Sequence, residues 1–350
     1  MVTLAPDAHN ESRARRPRPH TNTKSMPELY PLRLKPILQE YLWGGRRLGE
    51  LLSKPIGDGD TYAESWEVVD HPDGQSVVEN GPLAGKTLGE LAQSHADELY
   101  GRNGAPPRFP LLLKYLDAQK TLSVQVHPND AQGATLDPPD LGKTEAWLVV
   151  AADPGAKIYA GLQEGVDRAQ LAEAIEQGQC DRCLHAFEPA VGDCVFIPAG
   201  TVHALGSGLV IAEIQQASNT TFRLFDWNRV GKDGQPRPLH IEESLWATDY
   251  DRGPVGPQKP EPTGDGWQRL VACDKFVFSR RHFEASGETS PLAADNGFRI
   301  LSVIEGSVTI RSSGHEEALG RGQTLLLPAS CSEAEVVASE PATVVEARLP

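Results

Sequence analysis

Apolar and polar residues alternate with a period of two through much of this chain. The alternation runs through 120–127, 145–151, 193–198, 208–215, 298–304 and 322–328, between clusters of Gly, Pro, Asn and Asp. Short strands with turn punctuation are the pattern of an all-β sandwich or barrel. Helical spacing is rare. Residues 88–100 predict one helix, opened by a capping box of Thr87 and Glu90. Residues 167–178 predict another, with Ala and Leu at helical spacing and Gly178 as its stop. Residues 251–266 are rich in Pro and Gly and predict a linker. It divides a main body over 27–250 from a smaller β domain over 267–350. Residues 1–26 carry Arg13, Arg15, Arg16 and Arg18 but no apolar stretch, so they predict a disordered tail rather than a secretory signal. Met26, just ahead of the first patterned segment, is an alternative start.

A weak internal repeat adds to this picture. Gly192 opens GDCVFIPAGTVH and Gly322 opens GQTLLLPASCSE, and each glycine precedes an apolar strand and then a proline. The first copy ends in His203 and the second has Glu333 at that place. Two related β-barrels are expected, of which the first has a metal-binding histidine and the second lacks it.

Charge and cysteine usage narrow the function classes. The net charge of −15 over 350 residues disfavours nucleic acid and anionic lipid as partners, since both attract basic surfaces. An anionic small substrate then needs a local basic site. No apolar run reaches the ~18 residues of a membrane helix. The five cysteines are odd in number and form no disulfide framework, which fits a reducing compartment and a cytoplasmic protein. Cys180 and Cys183 form one C-x-x-C; a structural zinc site needs two more ligands, so they read as incidental thiols.

Three stretches carry candidate chemistry. In LSVQVHPND, Gln125 and His127 are two apart on a strand and share a face. Alone, they are equally a polar sheet edge. In GKTEAWLVV, Lys143, Glu145 and Trp147 share one face of a strand entering an apolar run. Lys and Glu on a strand are often solvated, yet a Glu carried into a core needs a cation or donor. His203 follows a strand and a P-A-G turn, a place where a structural histidine is common. Taken together, Gln125, His127, Glu145 and His203 offer two imidazoles, a carboxylate and an amide oxygen. Zinc accepts such a set, and so do iron and manganese.

The spacing glycine, five residues, proline, any residue, glycine, two residues, histidine at 192–203 is similar to the second cupin motif, with Ser207 where that motif has asparagine. YLWGGRRL (41–48), ESWEVVDHPDGQSVV (64–78), FPLLLKYLDAQKTLSVQVHPND (109–130), GKTEAWLVV (142–150) and PAGTVHALGSGLVIAEIQQASNTTFRLFDWNR (198–229), in that order, resemble the type I mannose-6-phosphate isomerases in their short bacterial form. The resemblance covers the chain from about residue 27 onward. It implies a mainly β, double cupin fold with a few helices. It also implies one zinc ion per chain, held by Gln125, His127, Glu145 and His203, a catalytic arginine at Arg223, and a substrate-contacting lysine at Lys143. The implied activity is aldose–ketose interconversion of mannose 6-phosphate and fructose 6-phosphate, with a sugar phosphate as the small-molecule partner. Longer relatives have a histidine where this chain has Gly142 and a tyrosine where it has Leu205, so roles given to those side chains do not carry over.

An isomerisation through an enediolate needs a Lewis acid, an oxyanion holder and a proton carrier. Arg223, which keeps its proton, suits the second role. Lys143 suits sugar or phosphate binding, or proton transfer if a metal depresses its pKa. Arg229 and Lys232 are candidates for the phosphate, or are solvated loop charges. Glu213, Asp226 and His240 are candidate bases by residue type. The competing readings are an isomerase of another sugar phosphate, a cupin oxygenase, and a non-catalytic metal-containing carbohydrate-binding cupin. Gln125 in place of the first histidine of an H-x-H argues against the oxygenase.

Overall fold

The computed structural model describes residues 27–230, 234–331 and 333–350. The expectations for the tail at 1–26, for Met26 and for Lys232 lie outside the described residues. Strands form where the alternation predicts them, including Glu145–Ala152, Cys194–Ile197, Leu209–Gln216, Arg299–Glu305 and Thr324–Leu327. The run at 120–127 yields only Val124–Val126. Its earlier carbonyls are taken by side chains instead of a neighbouring strand: Arg229 donates to Thr121 O and Trp227 Nε1 to Leu122 O.

The helix predicted over 88–100 forms as two, Leu88–Ser94 and Ala96–Tyr100. His95 leaves helical geometry between them, its ring held by Ser94 Oγ and Pro27 O. The Thr87–Glu90 capping box is present. The second predicted helix is Arg168–Glu176, opened by a box of Asp167 and Gln170 and ending before Gly178, whose φ is 65°.

Two β-sandwich barrels stand back to back, the double cupin arrangement. In the first, a six-stranded sheet runs in the order Cys194–Ile197, Glu145–Ala152, Leu209–Gln216, Leu111–Ala118, Tyr62–Val68, Ile37–Gly45. It faces a five-stranded sheet ordered Leu184–Phe187, Ile158–Leu162, His203–Leu205, Val124–Val126, Phe222–Phe225. Trp43, Trp147, Ile158, Val195, Leu205 and Ile211 fill one part of the space between them. Alternation decides the rest. Val210, Ala212 and Ile214 point out of the first barrel and pack with Ile300, Leu326, Val345 and Ala347 of the second. Leu209 and Ile211 point inward, and Glu213 and Gln215 continue that inward row.

The second barrel has an apolar interior of Leu301, Val303, Ile310, Leu325, Val336 and Val344. Glu333, at the place of His203 in the repeat, is exposed. Strand Leu32–Lys35 does not join the barrel that follows it in sequence. It pairs with the second barrel, Leu32 opposite Leu326. The segment 251–266 lies along both units: Gln258 N donates to Cys194 O, and Glu261–Pro262 pairs with Gln268 and Arg269.

Candidate metal centre and active site

Strand register aligns the polar residues of the first barrel in two facing rows. On the five-stranded sheet Gln125 is directly opposite His203 on one side and Arg223 on the other. Residues directly opposite share a face, so these three side chains form one row. On the six-stranded sheet Glu213 is opposite Trp147 and Lys114. A cavity of about 240 Å³ is lined by Gln125, Lys143, Glu213, Lys114, Arg223 and Arg237, together with Glu64, Ser123, Trp147, Leu205, Asn219 and others.

At the closed end His127, Glu145 and His203 are buried, and their candidate ligand atoms lie within 4.8 Å of one another. Each imidazole is fixed from behind. His127 Nδ1 is 2.9 Å from Thr220 O, and His203 Nδ1 is 2.8 Å from Thr201 O. A carbonyl only accepts, so both Nδ1 atoms carry the hydrogen and both Nε2 atoms present a lone pair. His203 Nε2 is 3.3 Å from Glu145 Oε1, and His127 Nε2 is 3.6 Å from Glu145 Oε2. Both imidazoles are held neutral: burial pushes His203 down to about 3, and burial followed by the Lys143 charge holds His127 well below its usual value.

This donor set fits a divalent cation. His203 Nε2 is buried and lacks a hydrogen-bond partner. Burial first, and then the nearby Glu213 charge, pushes Glu145 up to about 7. A positive charge placed at the carboxylate relieves that penalty. The nearest is the Lys143 ammonium, 2.6 Å from Glu145 Oε2 in ion-pair contact and 3.0 Å from His127 Nε2, with Lys114 acting from further away. His203, backbone-bound with its other nitrogen free, shows the usual preparation of a metal-ligating histidine, while at His127 that nitrogen meets Lys143 Nζ.

The loop carrying Lys143 is fastened at several points. Lys143 N donates to Pro128 O at 3.0 Å and Thr144 N to Gln216 Oε1 at 3.1 Å. At Gly142 a Cβ would lie 2.5 Å from Asp130 N and 2.6 Å from Asn129 C, so backbone passes against backbone with no room for a side chain. This is the physical reason that a histidine does not fit there.

Residues 31–150 match the family model described as phosphomannose isomerase type I, catalytic domain. Residues 268–345 match the mannose-6-phosphate isomerase cupin domain. A mannose-6-phosphate isomerase of Streptococcus mutans is 36% identical over 304 residues, covering 85% of this chain and 92% of that protein. The chain belongs to the type I phosphomannose isomerase family. It is thereby a member of a family of aldose–ketose isomerases. A mannose-6-phosphate isomerase of Bacillus subtilis is 35% identical over 303 residues, 87% of this chain and 94% of that one. The crystal structure of the mannose 6-phosphate isomerase from Bacillus subtilis superposes with a TM-score of 0.82 at 30% identity, covering 91% of this chain and 99% of that one.

The six residues singled out from the sequence lie together. His127, Glu145 and His203 form the closed end, and Gln125, Lys143 and Arg223 line the cavity beside it. Arg223 is half-buried. Its Nε donates to Ser123 Oγ at 3.3 Å and its NH1 to Pro238 O at 2.9 Å. Of the three candidate bases, only Glu213 lines this cavity. Asp226 is paired with Arg229 and Arg237, and His240 Nδ1 accepts from Arg223 N. Arg229 lines an adjoining cavity of about 710 Å³ with Lys120, Tyr41 and Arg237.

Sequence reasoning passed over Lys114, Glu64 and Arg237. Lys114 Nζ is 3.4 Å from both Glu64 Oε2 and Glu213 Oε1, and those carboxylates hold its ammonium above the usual lysine range despite burial. Glu213 also takes Trp147 Nε1 on Oε2 at 3.2 Å. Burial alone would raise Glu213, but Lys114 and Lys143 outweigh it and leave the carboxyl below its ordinary value. The signal was present: a lysine inside LLLKYLDA, a strand buried along its whole length, must meet a carboxylate.

Proposed function

We propose that this protein is a zinc-dependent mannose-6-phosphate isomerase acting in the cytoplasm, with its chemistry in the first barrel. The observation that carries the reading is the facing pair of polar rows. His203, Gln125 and Arg223 stand on one wall, and Glu213 and Lys114 on the other, with the His127–Glu145–His203 cluster closing the end. Gln125, His127, Glu145 and His203 would hold the zinc. When bound, it supplies Lewis-acid polarisation of the sugar oxygens at C1 and C2.

The chain's own residues supply the rest. Glu213, kept ionised by Lys114 and Lys143, takes the proton from C2 of mannose 6-phosphate on Oε1 and returns it to C1, while the hydroxyl proton of O2 passes to O1. Lys114 Nζ, 3.4 Å from that same Oε1, holds the carboxylate in place, and Glu64 steadies Lys114 in turn. Arg223 stays protonated and holds the negative charge that develops on the enediolate oxygens. Lys143 binds the sugar oxygens beside the metal ligands. The 6-phosphate extends toward Arg237, where the central cavity borders the one containing Arg229 and Lys120. Arg229 and Arg237 share the single carboxylate of Asp226, so this pair keeps a net positive charge for a phosphate.

The cytoplasmic assignment is supported by five free cysteines, and no helix of the described residues is long and apolar enough to cross a membrane. The test is turnover of mannose 6-phosphate in an assay coupled to fructose 6-phosphate, beside glucose 6-phosphate as a competing substrate. Conversion of the mannose ester with little turnover of the glucose ester is expected. A folded, zinc-loaded protein that leaves mannose 6-phosphate unchanged contradicts the reading.

A further inference from the structure

We propose that Asp140 is a positioning residue for the metal centre, acting on His127 through the Ser218–Thr220 turn. The inference rests on the metal reading above. His127 is oriented by a single backbone carbonyl, Thr220 O, at 2.9 Å. That carbonyl belongs to the irregular segment between strands Leu209–Gln216 and Phe222–Phe225, and no strand ladder fixes it. Gln215 Nε2 donates to Ser218 O at 2.6 Å, and Asp140 ties the turn at two of its side chains. Its Oδ2 accepts from Ser218 Oγ at 2.7 Å and from Thr220 Oγ1 at 2.8 Å. Its Oδ1 accepts from Leu141 N at 2.8 Å and from the Arg108 guanidinium, and His71 Nε2 is 3.8 Å away.

The chemistry of the donors makes this clamp directional. An ionised carboxylate only accepts, so both hydroxyls must point their hydrogens at Asp140. Both ends of the turn are thereby pinned to one group, with Ser218 buried. Thr220 N is held as well, donating to Ser218 Oγ at 3.3 Å. Asn219, between them, donates to Asp73 Oδ2 at 2.7 Å and lines the cavity. The path from Arg108 through Asp140 and Thr220 to the His127 ring is therefore continuous. Without it the turn keeps only its ties from Gln215 Nε2 to Ser218 O and from Asn219 to Asp73, neither of which holds the Thr220 side chain, so the Thr220 carbonyl and the ring it orients can shift. A shift of about 0.5 Å in a ligand atom is enough to spoil a preorganised metal site.

The experiment compares zinc affinity, by competition with a chromophoric chelator, among full-length apo proteins. Three variants join the wild type: Asp140→Ala, the double substitution Ser218→Ala with Thr220→Val, and Val336→Ala. The double variant removes the two hydroxyls and keeps the Thr220 carbonyl. Val336 is buried in the second barrel, so its truncation lowers stability away from the site. Asp140→Ala and the double variant should bind zinc about 10–100-fold more weakly, the range for loss of an outer-shell partner. Their cobalt-substituted forms should show altered visible bands, while Val336→Ala changes the unfolding midpoint and neither of the other readouts. Unchanged zinc affinity and cobalt spectrum in folded Asp140→Ala would overturn the proposal. If that variant does not fold, the same result in the double variant overturns it. A wild-type protein that takes up no zinc would overturn the metal reading itself, and this inference with it.

Discussion

Glu145 and Glu213 both point into the interior of the first barrel but differ in charge state. Burial pushes Glu145 up to about 7, whereas Lys114 and Lys143 keep Glu213 below the ordinary value. Two carboxyl groups driven apart by their surroundings are suited to two different tasks. The assignment of proton transfer to Glu213 predicts that Glu213→Gln lowers kcat by about 10²–10⁴-fold, the usual contribution of a general base. Zinc content, read by elemental analysis, should stay at the wild-type level. Arg223→Lys should lower kcat by about 10²–10³-fold, as for loss of an oxyanion donor, again with zinc content unchanged. Asp140 carries a pH prediction. Burial raises its carboxyl, but His71, Ser218, Arg108 and Thr220 together hold it far below the usual range. A group depressed in the folded state contributes stability above its unfolded pKa of about 3.9 and loses that contribution as pH falls below it. The urea midpoints of wild type and Asp140→Ala should therefore differ more at about pH 6 than at about pH 3. A gap that is constant with pH would mean that the Asp140 charge does not act on stability.

At the scale of elements, the site depends on loops held at backbone distance. Gly142 shows this most plainly, because its Cβ position is already occupied by the Asn129–Asp130 backbone. Gly142→Ala must displace the loop that carries Lys143 and leads into Glu145. Overpacking of this kind costs about 1–3 kcal/mol. Both thermal stability and kcat should fall; a variant with wild-type kcat would show that the loop yields without moving Lys143. The same scale explains what was legible in advance. Gln125, His127, Glu145 and His203 stand at recognisable spacings on strands, where the two-residue period already tells which side chains share a face. Lys114 and Asp140 were missed for different reasons. A lone lysine in a strand gives no hint of which distant carboxylate it will meet. Asp140 sits in an Asp-Pro-Pro-Asp stretch that reads as a turn, and its partners Arg108, Ser218 and Thr220 come from other parts of the chain. The break at His95 was equally hidden, since its Nε2 meets Pro27 O, 68 residues away in sequence.

Over the whole molecule, the two barrels share more than a linker. Strand Leu32–Lys35 adds to the second barrel's sheet, and the outward faces of both inner sheets form one apolar cluster. A buried ion pair lies within this region: Lys54 Nζ is 2.6 Å from Glu67 Oε2 and also donates to Gly322 O of the second barrel. Removing one partner of such a pair strands the other charge. Lys54→Ala should lower the unfolding free energy by about 3–5 kcal/mol, measured by urea denaturation. A loss below about 1 kcal/mol would mean that Glu67 is neutral or hydrated in the variant. Division of labour follows from the interiors: the second barrel is lined by aliphatic side chains, and among the described residues the one His/Glu cluster able to hold a metal is in the first. The central claim, a metal-dependent isomerase housed in that first barrel, is tested most directly by assaying mannose 6-phosphate conversion before and after chelator dialysis, with zinc restored. Activity should be lost on dialysis and regained with zinc in the wild type, and not regained in His203→Ala. Full activity in a protein shown by elemental analysis to be free of metal would contradict it.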